Sequence, residues 1–154
     1  MSLTLTSPAF ADGGPIPGVH TCDGRNLQPA LQWSGVPAGT RTLALIVHDP
    51  DAPRGDFTHW LLYDIPTTVN MIPESPNPTS TGVPGANDFG REGYGGPCPP
   101  TNHGSHRYVF TLYALDLPAG ATGLNRGANR AAVEDAIQGH ILDQATLTGV
   151  FARR

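Results

Sequence analysis

Residues 42–64 read TLALIVHDPDAPRGDFTHWLLYD and contain two runs rich in aliphatic and aromatic residues. These residue types are enriched in β-strands, whereas Pro50, Pro53 and Gly55 between the two runs favour a turn. The segment therefore predicts two strands, residues 42–49 and 57–64, separated by a short turn region.

The rest of the chain extends this mainly β pattern. Strand-like runs also occupy residues 3–6, 106–115 and 146–152. The 19 glycines and 16 prolines among 154 residues predict frequent turns. Residues 66–100, rich in Pro, Gly, Asn and Ser, predict a long ordered loop over one end of the sheet. The length is that of a single domain, which we expect to span residues 1–154.

One segment has a helical period instead. Val133, Ile137 and Ile141 lie four residues apart on one face, and Asn129 is a favourable N-cap residue. We therefore expect one short helix that packs on the sheet through this apolar face.

Charge and composition exclude several classes of partner and location. Nine Lys and Arg against 13 Asp and Glu give a net charge of −4 without a basic run, so neither a nucleic acid nor an anionic membrane is an expected partner. The first 14 residues lack the pattern of a signal peptide, and no apolar window is long enough for a membrane span. These features predict a cytoplasmic protein, in which Cys22 and Cys98 are expected to be reduced thiols.

Titratable groups end the apolar faces of three predicted strands, because side chains of the same parity lie on one side of a strand. Each face combines apolar residues with at least one such group: Leu43, Leu45, Val47 and Asp49 in the first strand; Phe57, His59, Leu61 and Tyr63 in the second; His106, Tyr108, Phe110 and Leu112 in the third. Arg107 falls on the opposite face from Tyr108 and is expected to form a structural salt bridge.

A carboxyl group, two imidazoles and a phenol on apolar faces are unfavourable unless they form hydrogen bonds with one another or with a ligand. A polar pocket shared by Asp49, His59, His106 and Tyr108 would provide those bonds. Alternatively, each group is satisfied separately, Asp49 by capping the turn that follows it and His59 by bonding a loop carbonyl. The face pattern alone leaves both interpretations open.

Residues 93–100, GYGGPCPP, form a candidate ligand-binding loop. The glycines let backbone N–H groups approach a ligand closely, and the prolines fix the shape of the loop. Such a loop is suited to holding an oxyanion. It matches neither the phosphate-binding loop of nucleotide triphosphatases nor the dinucleotide-binding fingerprint.

Two motifs in this order carry a family resemblance. Residues 49–53, DPDAP, followed by His59 and Trp60, resemble the first signature of the phosphatidylethanolamine-binding protein family. Residues 96–100, GPCPP, followed by residues 106–108, HRY, resemble the second. Three further segments are similar to the shorter bacterial branch of the family, called YbhB/YbcL or Raf-kinase-inhibitor-like: residues 7–10, 21–24 and 139–149.

The resemblance implies a β-sandwich with a central antiparallel sheet, one or two short helices and a small pocket that binds phosphate-type groups without a cofactor or catalysis. Carried over by motif position, the implied ligand-binding residues are Asp49, His59, Tyr94, Gly96, Pro97, Cys98, Pro99, Pro100, His106 and Tyr108. The chain departs from relatives at residues 101–105, TNHGS, which makes His103 an additional candidate. The family name further suggests a phosphorylated protein or a kinase as partner. The resemblance also suggests that the protein forms a homodimer.

Two questions about this pocket follow from the residues. A carboxylate repels an anion at short range, so Asp49 is either protonated beside a cationic histidine or faces the ammonium group of a zwitterionic ligand such as phosphoethanolamine.

An enzymatic alternative is metal-assisted hydrolysis. A catalytic zinc site has three protein ligands, and Asp49, His59 and His106 would supply that number. A serine hydrolase is not expected, since the chain has no nucleophile-elbow motif.

Overall fold

The computed structural model describes residues 2–75 and 81–153. Eight β-strands form in this part of the chain: β1 Thr4–Thr6, β2 Leu31–Ser34, β3 Thr42–Asp49, β4 Phe57–Pro66, β5 Met71–Ile72, β6 Val83–Pro84, β7 His106–Leu115 and β8 Ile141–Phe151. One α-helix, α1 Arg130–Ile137, and one 3-10 helix, Gly18–His20, complete the regular elements of the described residues. The mainly β prediction is therefore confirmed.

The strands form two antiparallel sheets that pack face to face. The smaller sheet has the order β1-β2-β5 and the larger sheet the order β6-β4-β3-β7-β8. Leu5 and Trp33 of the small sheet meet Leu45, Val47 and other inward-facing residues of the large sheet in one hydrophobic core. This arrangement is the β-sandwich with a central antiparallel sheet that the family resemblance implied.

Strand β3 is buried on both of its faces because the helix covers the other side of the large sheet. Ala44 and Ile46 of β3 belong to a second apolar cluster that includes Val133 and Ile137 of α1. The layers are thus small sheet, large sheet and helix, and a strand in the middle layer needs apolar residues of both parities. The sequence of β3 meets that requirement.

The helix begins as predicted and ends earlier. The Asn129 side chain accepts a hydrogen bond from the N–H group of Ala132 at 2.9 Å, which caps the helix N-terminus. The last helical residue is Ile137, and Gly139 then adopts a φ of +83°. The prediction that Ile141 extends the apolar helix face is therefore wrong: Ile141 begins β8 and is 40% exposed.

Strand boundaries agree with the sequence pattern for β3 and β7, and β8 begins five positions before the predicted residue 146. Residues 66–100 were predicted as loop, yet they contribute the short strands β5 and β6. Residues 76–80 of that segment lie outside the described residues. No helix in the described part of the chain is long and apolar enough to cross a membrane.

Cys22 and Cys98 form a disulfide bond, with their Cα atoms 5.3 Å apart. The prediction of two reduced thiols is therefore wrong. A separation of 76 residues gave no indication of proximity, whereas the fold pairs the two segments through a hydrogen bond from the Cys22 N–H group to the Pro97 carbonyl at 3.1 Å. The disulfide thus fixes the loop of residues 93–100 to the turn that follows the 3-10 helix.

Candidate functional site

A cavity of about 330 Å³ lies at one end of the core between the sheets. Strand β3 ends and its antiparallel neighbour β7 begins at this end of the large sheet. Asp49 and His106 are therefore close neighbours, and His59 of β4 and Tyr108 of β7 join them at the cavity wall. All four residues are at most 4% exposed.

A β-bulge places His59 at this cavity. Val47 of β3 pairs with Trp60, while the next residue, His48, pairs with Thr58, so His59 is an extra residue of β4. Beyond the bulge, Leu61 packs on the helix side of the sheet. The prediction that Leu61 and Tyr63 share the pocket face with His59 is therefore wrong, because an extra residue reverses the alternation of side chains.

The carboxylate of Asp49 is the centre of a hydrogen-bond network. Its Oδ2 atom lies 2.6 Å from Nδ1 of His106, and its Oδ1 atom accepts the Asp51 N–H group at 2.7 Å. Nε2 of His106 lies 2.6 Å from Nδ1 of His103. Because His103 is exposed, the network connects a buried carboxylate to a histidine at the surface.

His59 is held as a neutral imidazole. Its Nδ1–H group donates a hydrogen bond to the Gly95 carbonyl at 2.7 Å. Burial lowers the pKa of His59, and this effect outweighs the Gly95 carbonyl and the charge of Asp49, both of which favour the imidazolium. The ring also packs against Phe57, Phe89 and Tyr108 at centroid distances of 4.9, 5.4 and 5.2 Å.

The hydroxyl group of Tyr108 is buried and has no hydrogen-bond partner among the described residues. Burial, assisted by the charges of Asp49 and Asp51, raises the pKa of Tyr108, so the hydroxyl keeps its proton and remains a donor. Buried polar groups almost always have a partner in proteins or in bound water. Tyr108 also lines the cavity, so a ligand oxygen that reached this hydroxyl would supply the missing partner.

The turn after β3 is anchored to β7 by a bidentate ion pair, which confirms the structural salt bridge predicted for Arg107. Asp51 accepts hydrogen bonds from Nε and Nη2 of Arg107 at 2.9 and 2.8 Å, and from its backbone N–H group at 2.9 Å. These bonds lower the pKa of Asp51 to about 2. The same turn carries Asp49, so the ion pair also positions the Asp49 carboxylate toward His106.

The structure brings seven of the ten predicted ligand-binding residues to this cavity: Asp49, His59, Cys98, Pro99, Pro100, His106 and Tyr108. Tyr94 and Gly96 instead line a neighbouring cavity of about 200 Å³. The Tyr94 hydroxyl donates to the His20 carbonyl at 2.6 Å. Pro97 lines neither of these two cavities, and its carbonyl accepts the Cys22 N–H group.

The loop of residues 93–100 differs from the expected oxyanion cradle. The Gly95 N–H group donates to the His59 carbonyl at 2.8 Å, and the Gly96 N–H group donates to Oδ1 of Asn26 at 2.9 Å. A Cβ atom at Gly96 would lie 2.2 Å from the His20 carbonyl oxygen. These glycines therefore allow close packing inside the protein, and the two N–H groups are already used.

Sequence reasoning did not assign several further residues that line the cavity: Ala52, Pro53, Arg54, Gly55, Asp56, Phe57 and Phe89. Phe89 is 42% exposed although it is aromatic. Asn87 accepts hydrogen bonds from the N–H groups of Phe89 and Arg91, and this turn positions Phe89 beside His59. For Phe89, the sequence feature that could have indicated a role is an aromatic residue within a polar loop.

The metal-assisted alternative lacks support from the geometry. Among the residues that the structure describes, no group of three or more His, Cys, Asp and Glu side chains could hold a metal ion. Asp49 and His106 direct their polar atoms at each other, and Nδ1 of His59 is bonded to the Gly95 carbonyl. The three proposed ligands therefore do not form a preformed metal site.

Known proteins resemble this chain over almost its whole length. A UPF0098 protein of Aquifex aeolicus is 48% identical over 98% of this chain and 89% of its own length. A crystallised homologue of phosphatidylethanolamine-binding proteins from Chlamydia trachomatis has 35% identity and a TM-score of 0.90, with 99% of each chain covered. Escherichia coli YbcL has 31% identity and a TM-score of 0.88 over the full length of both chains.

A family profile gives the same assignment. Residues 6–152 match the family described as "Phosphatidylethanolamine-binding protein". The match includes both motifs and every residue of the cavity wall described above. The chain therefore belongs to the phosphatidylethanolamine-binding protein family.

Proposed function

We propose that this protein binds a small ligand through a phosphate-type anionic group in the cavity beside Asp49, and that it does so without catalysis. The observation that carries the proposal is the buried Tyr108 hydroxyl, which has no partner in the described residues. It lies in the same cavity wall as His59 and His106. A ligand oxygen that accepts this hydroxyl would remove an otherwise unfavourable buried polar group.

Arg54 supplies a positive charge at the rim. It is exposed, lines the cavity and makes no salt bridge within the described residues. The other carboxylate of the wall, Asp56, is paired with His48 at 2.6 Å and with Arg130 at 2.9 Å. Arg54 is therefore suited to attract an anion into the cavity and to offset part of the charge of Asp49.

The rest of the wall is apolar and suits the body of a ligand that is larger than the anionic group. Pro53, Phe57, Phe89 and Pro99 all contribute to it. Pockets of this kind combine mostly apolar walls with a few polar groups that orient the ligand. The cavity volume of about 330 Å³ corresponds to a small molecule or to a single modified side chain.

Features of the cavity support binding over catalysis. Cys98 is part of the disulfide bond and offers no thiolate nucleophile. No serine, threonine or lysine is among the described residues that line the cavity. Membership of a family of ligand-binding proteins agrees with this interpretation.

A phosphorylated protein or kinase as partner, a homodimer and a cytoplasmic location stay predictions from the sequence. For a protein partner, Phe89 is an accessible contact at the cavity mouth, since this residue is 42% exposed. For the location, disulfide bonds are more common in oxidising compartments than in the cytosol. The Cys22–Cys98 bond therefore favours an oxidising environment for this protein.

The proposal is tested by NMR titration of the ¹⁵N-labelled protein with inorganic phosphate and with phosphoethanolamine. We expect saturable shifts at the amides of Cys98, His106 and Tyr108, and weaker binding in Tyr108→Phe. Tyr63→Phe is the matched control, because the Tyr63 hydroxyl bonds to the Asn125 carbonyl away from the cavity. A parallel zinc titration addresses the hydrolase alternative. Zinc binding without any response to phosphate would overturn the proposal.

A further inference from the structure

We propose that the cavity selects anions that carry a hydrogen atom, so that hydrogen phosphate and singly protonated phosphate monoesters bind while sulfate is rejected. This inference rests on the proposed function, because it specifies which anions the same cavity accepts. It follows from the side-chain hydrogen-bond donors and acceptors in the cavity wall.

The first acceptor is the Asp49 carboxylate. Each of its oxygens already accepts one hydrogen bond, from the Asp51 N–H group and from Nδ1 of His106. A carboxylate oxygen has two lone pairs, so each can accept one more bond and neither can donate. Since Asp49 lines the cavity, a ligand in the cavity meets a charged acceptor.

The second acceptor is His59. Because Nδ1–H donates to the Gly95 carbonyl, the neutral ring carries its lone pair on Nε2. Burial lowers the pKa of His59, which keeps the ring in this neutral form. His59 therefore adds a second acceptor to the wall that already contains Asp49.

Side-chain donors are scarce in the same wall. Pro53, Pro99 and Pro100 contribute to it and have no backbone N–H group. The N–H group of Gly55 donates to the Ala52 carbonyl at 3.0 Å. Among the side chains of the wall, the Tyr108 hydroxyl and the guanidinium of Arg54 are the donors that no described residue occupies.

The remaining titratable groups near the cavity already have partners: Asp51 is paired with Arg107, and Asp88 accepts the Thr58 N–H group. Asp56 is paired with His48 and Arg130. His106 has Nδ1 at Asp49 and Nε2 at His103. Among the side chains of the wall, these contacts leave Asp49 and His59 with spare acceptors, and Tyr108 and Arg54 with spare donors.

An anion that enters this cavity therefore has to offer both kinds of group. Hydrogen phosphate accepts from Tyr108 and Arg54 through its oxygens and donates its O–H group to Asp49, which turns a repulsive contact into a charge-assisted hydrogen bond. Sulfate has the same shape and no hydrogen to donate, so its oxygens would face the Asp49 carboxylate directly. A site that must bond a hydrogen discriminates strongly against an analogue that lacks it.

The test is calorimetric titration of the wild-type protein with inorganic phosphate, methyl phosphate and sulfate at about pH 5 and about pH 8, on either side of the second phosphate pKa of about 6 of a monoester. We expect phosphate to bind at least about tenfold more tightly than sulfate at both pH values. Methyl phosphate should lose most of its affinity on going to the higher pH, where it loses its hydrogen. Sulfate is the matched control, because its charge stays constant while any protonation of the protein changes.

Asp49→Asn tests whether the Asp49 carboxylate is the group that selects phosphate over sulfate. An amide can donate to sulfate, so Asp49→Asn should reduce the ratio of phosphate to sulfate affinity several-fold, whereas Asp116→Asn, which changes an exposed carboxylate paired with His140, should leave the ratio unchanged. Equal wild-type affinities for sulfate and phosphate would overturn this inference and leave the proposed function intact. Failure of all three anions to bind would overturn both.

Discussion

The carboxylate of Asp49 and the imidazole of His106 lie 2.6 Å apart although 57 positions separate them in the chain. Both side chains are almost fully buried, at 4% and 2% exposure. The pair joins the end of β3 to the start of β7, which are neighbouring strands of the large sheet. It therefore connects the stability of the sheet to the shape of the cavity.

Removal of one member of this pair should destabilise the protein. In His106→Ala the Asp49 carboxylate stays buried without its partner, which typically costs about 3 kcal/mol or more. We expect a corresponding decrease in the free energy of unfolding measured with urea. His48→Ala is the control, because its pair with Asp56 has the same 2.6 Å distance but a 44% exposed carboxylate, and it should lose less than about 1 kcal/mol. Equal losses in the two variants would contradict the role of burial.

His59 should make the protein sensitive to mild acid. Its pKa is lowered in the folded protein by burial, whereas the unfolded chain takes up this proton below about pH 6.5. Between these two pKa values only the unfolded state is protonated, so stability falls as the pH falls, by up to about 1.4 kcal/mol per pH unit. The loss begins near pH 6.5 and stops once the folded pKa is reached.

The variant His59→Asn keeps an N–H donor for the Gly95 carbonyl and cannot titrate. Unfolding curves recorded between about pH 7 and pH 5 should therefore show a shallower decrease in stability for His59→Asn than for the wild type. His140→Asn removes an exposed histidine and serves as the control. If the pH slope of His59→Asn equals that of the wild type, His59 is not the group responsible.

Asp51 should titrate far below an ordinary carboxyl group. The hydrogen bonds from Arg107 lower its pKa to about 2, so the ion pair stabilises the fold above the unfolded pKa of about 4 and loses this effect as the pH falls toward 2. A ¹³C NMR titration of the Asp51 carboxyl carbon should show the low midpoint. Arg107→Ala keeps the backbone N–H bond to Asp51, so the midpoint should rise part of the way toward about 4, and an unchanged midpoint would exclude the Arg107 side chain as the cause.

Loss of the Cys22–Cys98 bond should destabilise the protein. A cross-link over 76 residues restricts the unfolded chain by an amount that corresponds to about 4 kcal/mol in the chain-entropy model. The double variant Cys22→Ser, Cys98→Ser should unfold at lower urea concentration than the oxidised wild type. The chemically reduced wild type should match the variant. A variant as stable as the oxidised protein would show that hydrogen bonds alone hold the loop.

The sequence predicted those parts of the fold and site that depend on local pattern. The bounds of β3 and β7 followed from their composition, and the polar ends of both strands, Asp49 and His106, followed from side-chain alternation. The two interpretations left open by that pattern both hold for Asp49, which caps the turn at Asp51 and also bonds His106. Such double use of one carboxylate depends on three-dimensional distances.

Features that depend on exceptions to a pattern, or on distant segments, could not be predicted. The bulge at His59 adds one residue to β4, so Leu61 and Tyr63 lie on the opposite face of the sheet from the one predicted. No residue type at that point indicates a bulge. The disulfide needs residues 22 and 98 to meet through the fold. The glycines of the loop at residues 93–100 were expected to serve a ligand, while Gly96 is required for packing against the His20 carbonyl.

The Tyr108 hydroxyl should matter for binding and not for stability. It has no partner in the described residues, so Tyr108→Phe removes no internal hydrogen bond and relieves a buried unsatisfied group, and the free energy of unfolding should stay the same or rise slightly. The affinity for inorganic phosphate should fall about fivefold to tenfold, the effect of one lost hydrogen bond. Tyr63→Phe should behave in the opposite way, because the Tyr63 hydroxyl donates to the Asn125 carbonyl and accepts the Ala128 N–H group. Tyr63→Phe should lose about 1 kcal/mol of stability and keep its phosphate affinity. If Tyr108→Phe instead loses stability and keeps its phosphate affinity, the Tyr108 hydroxyl stabilises the fold and does not bind the ligand.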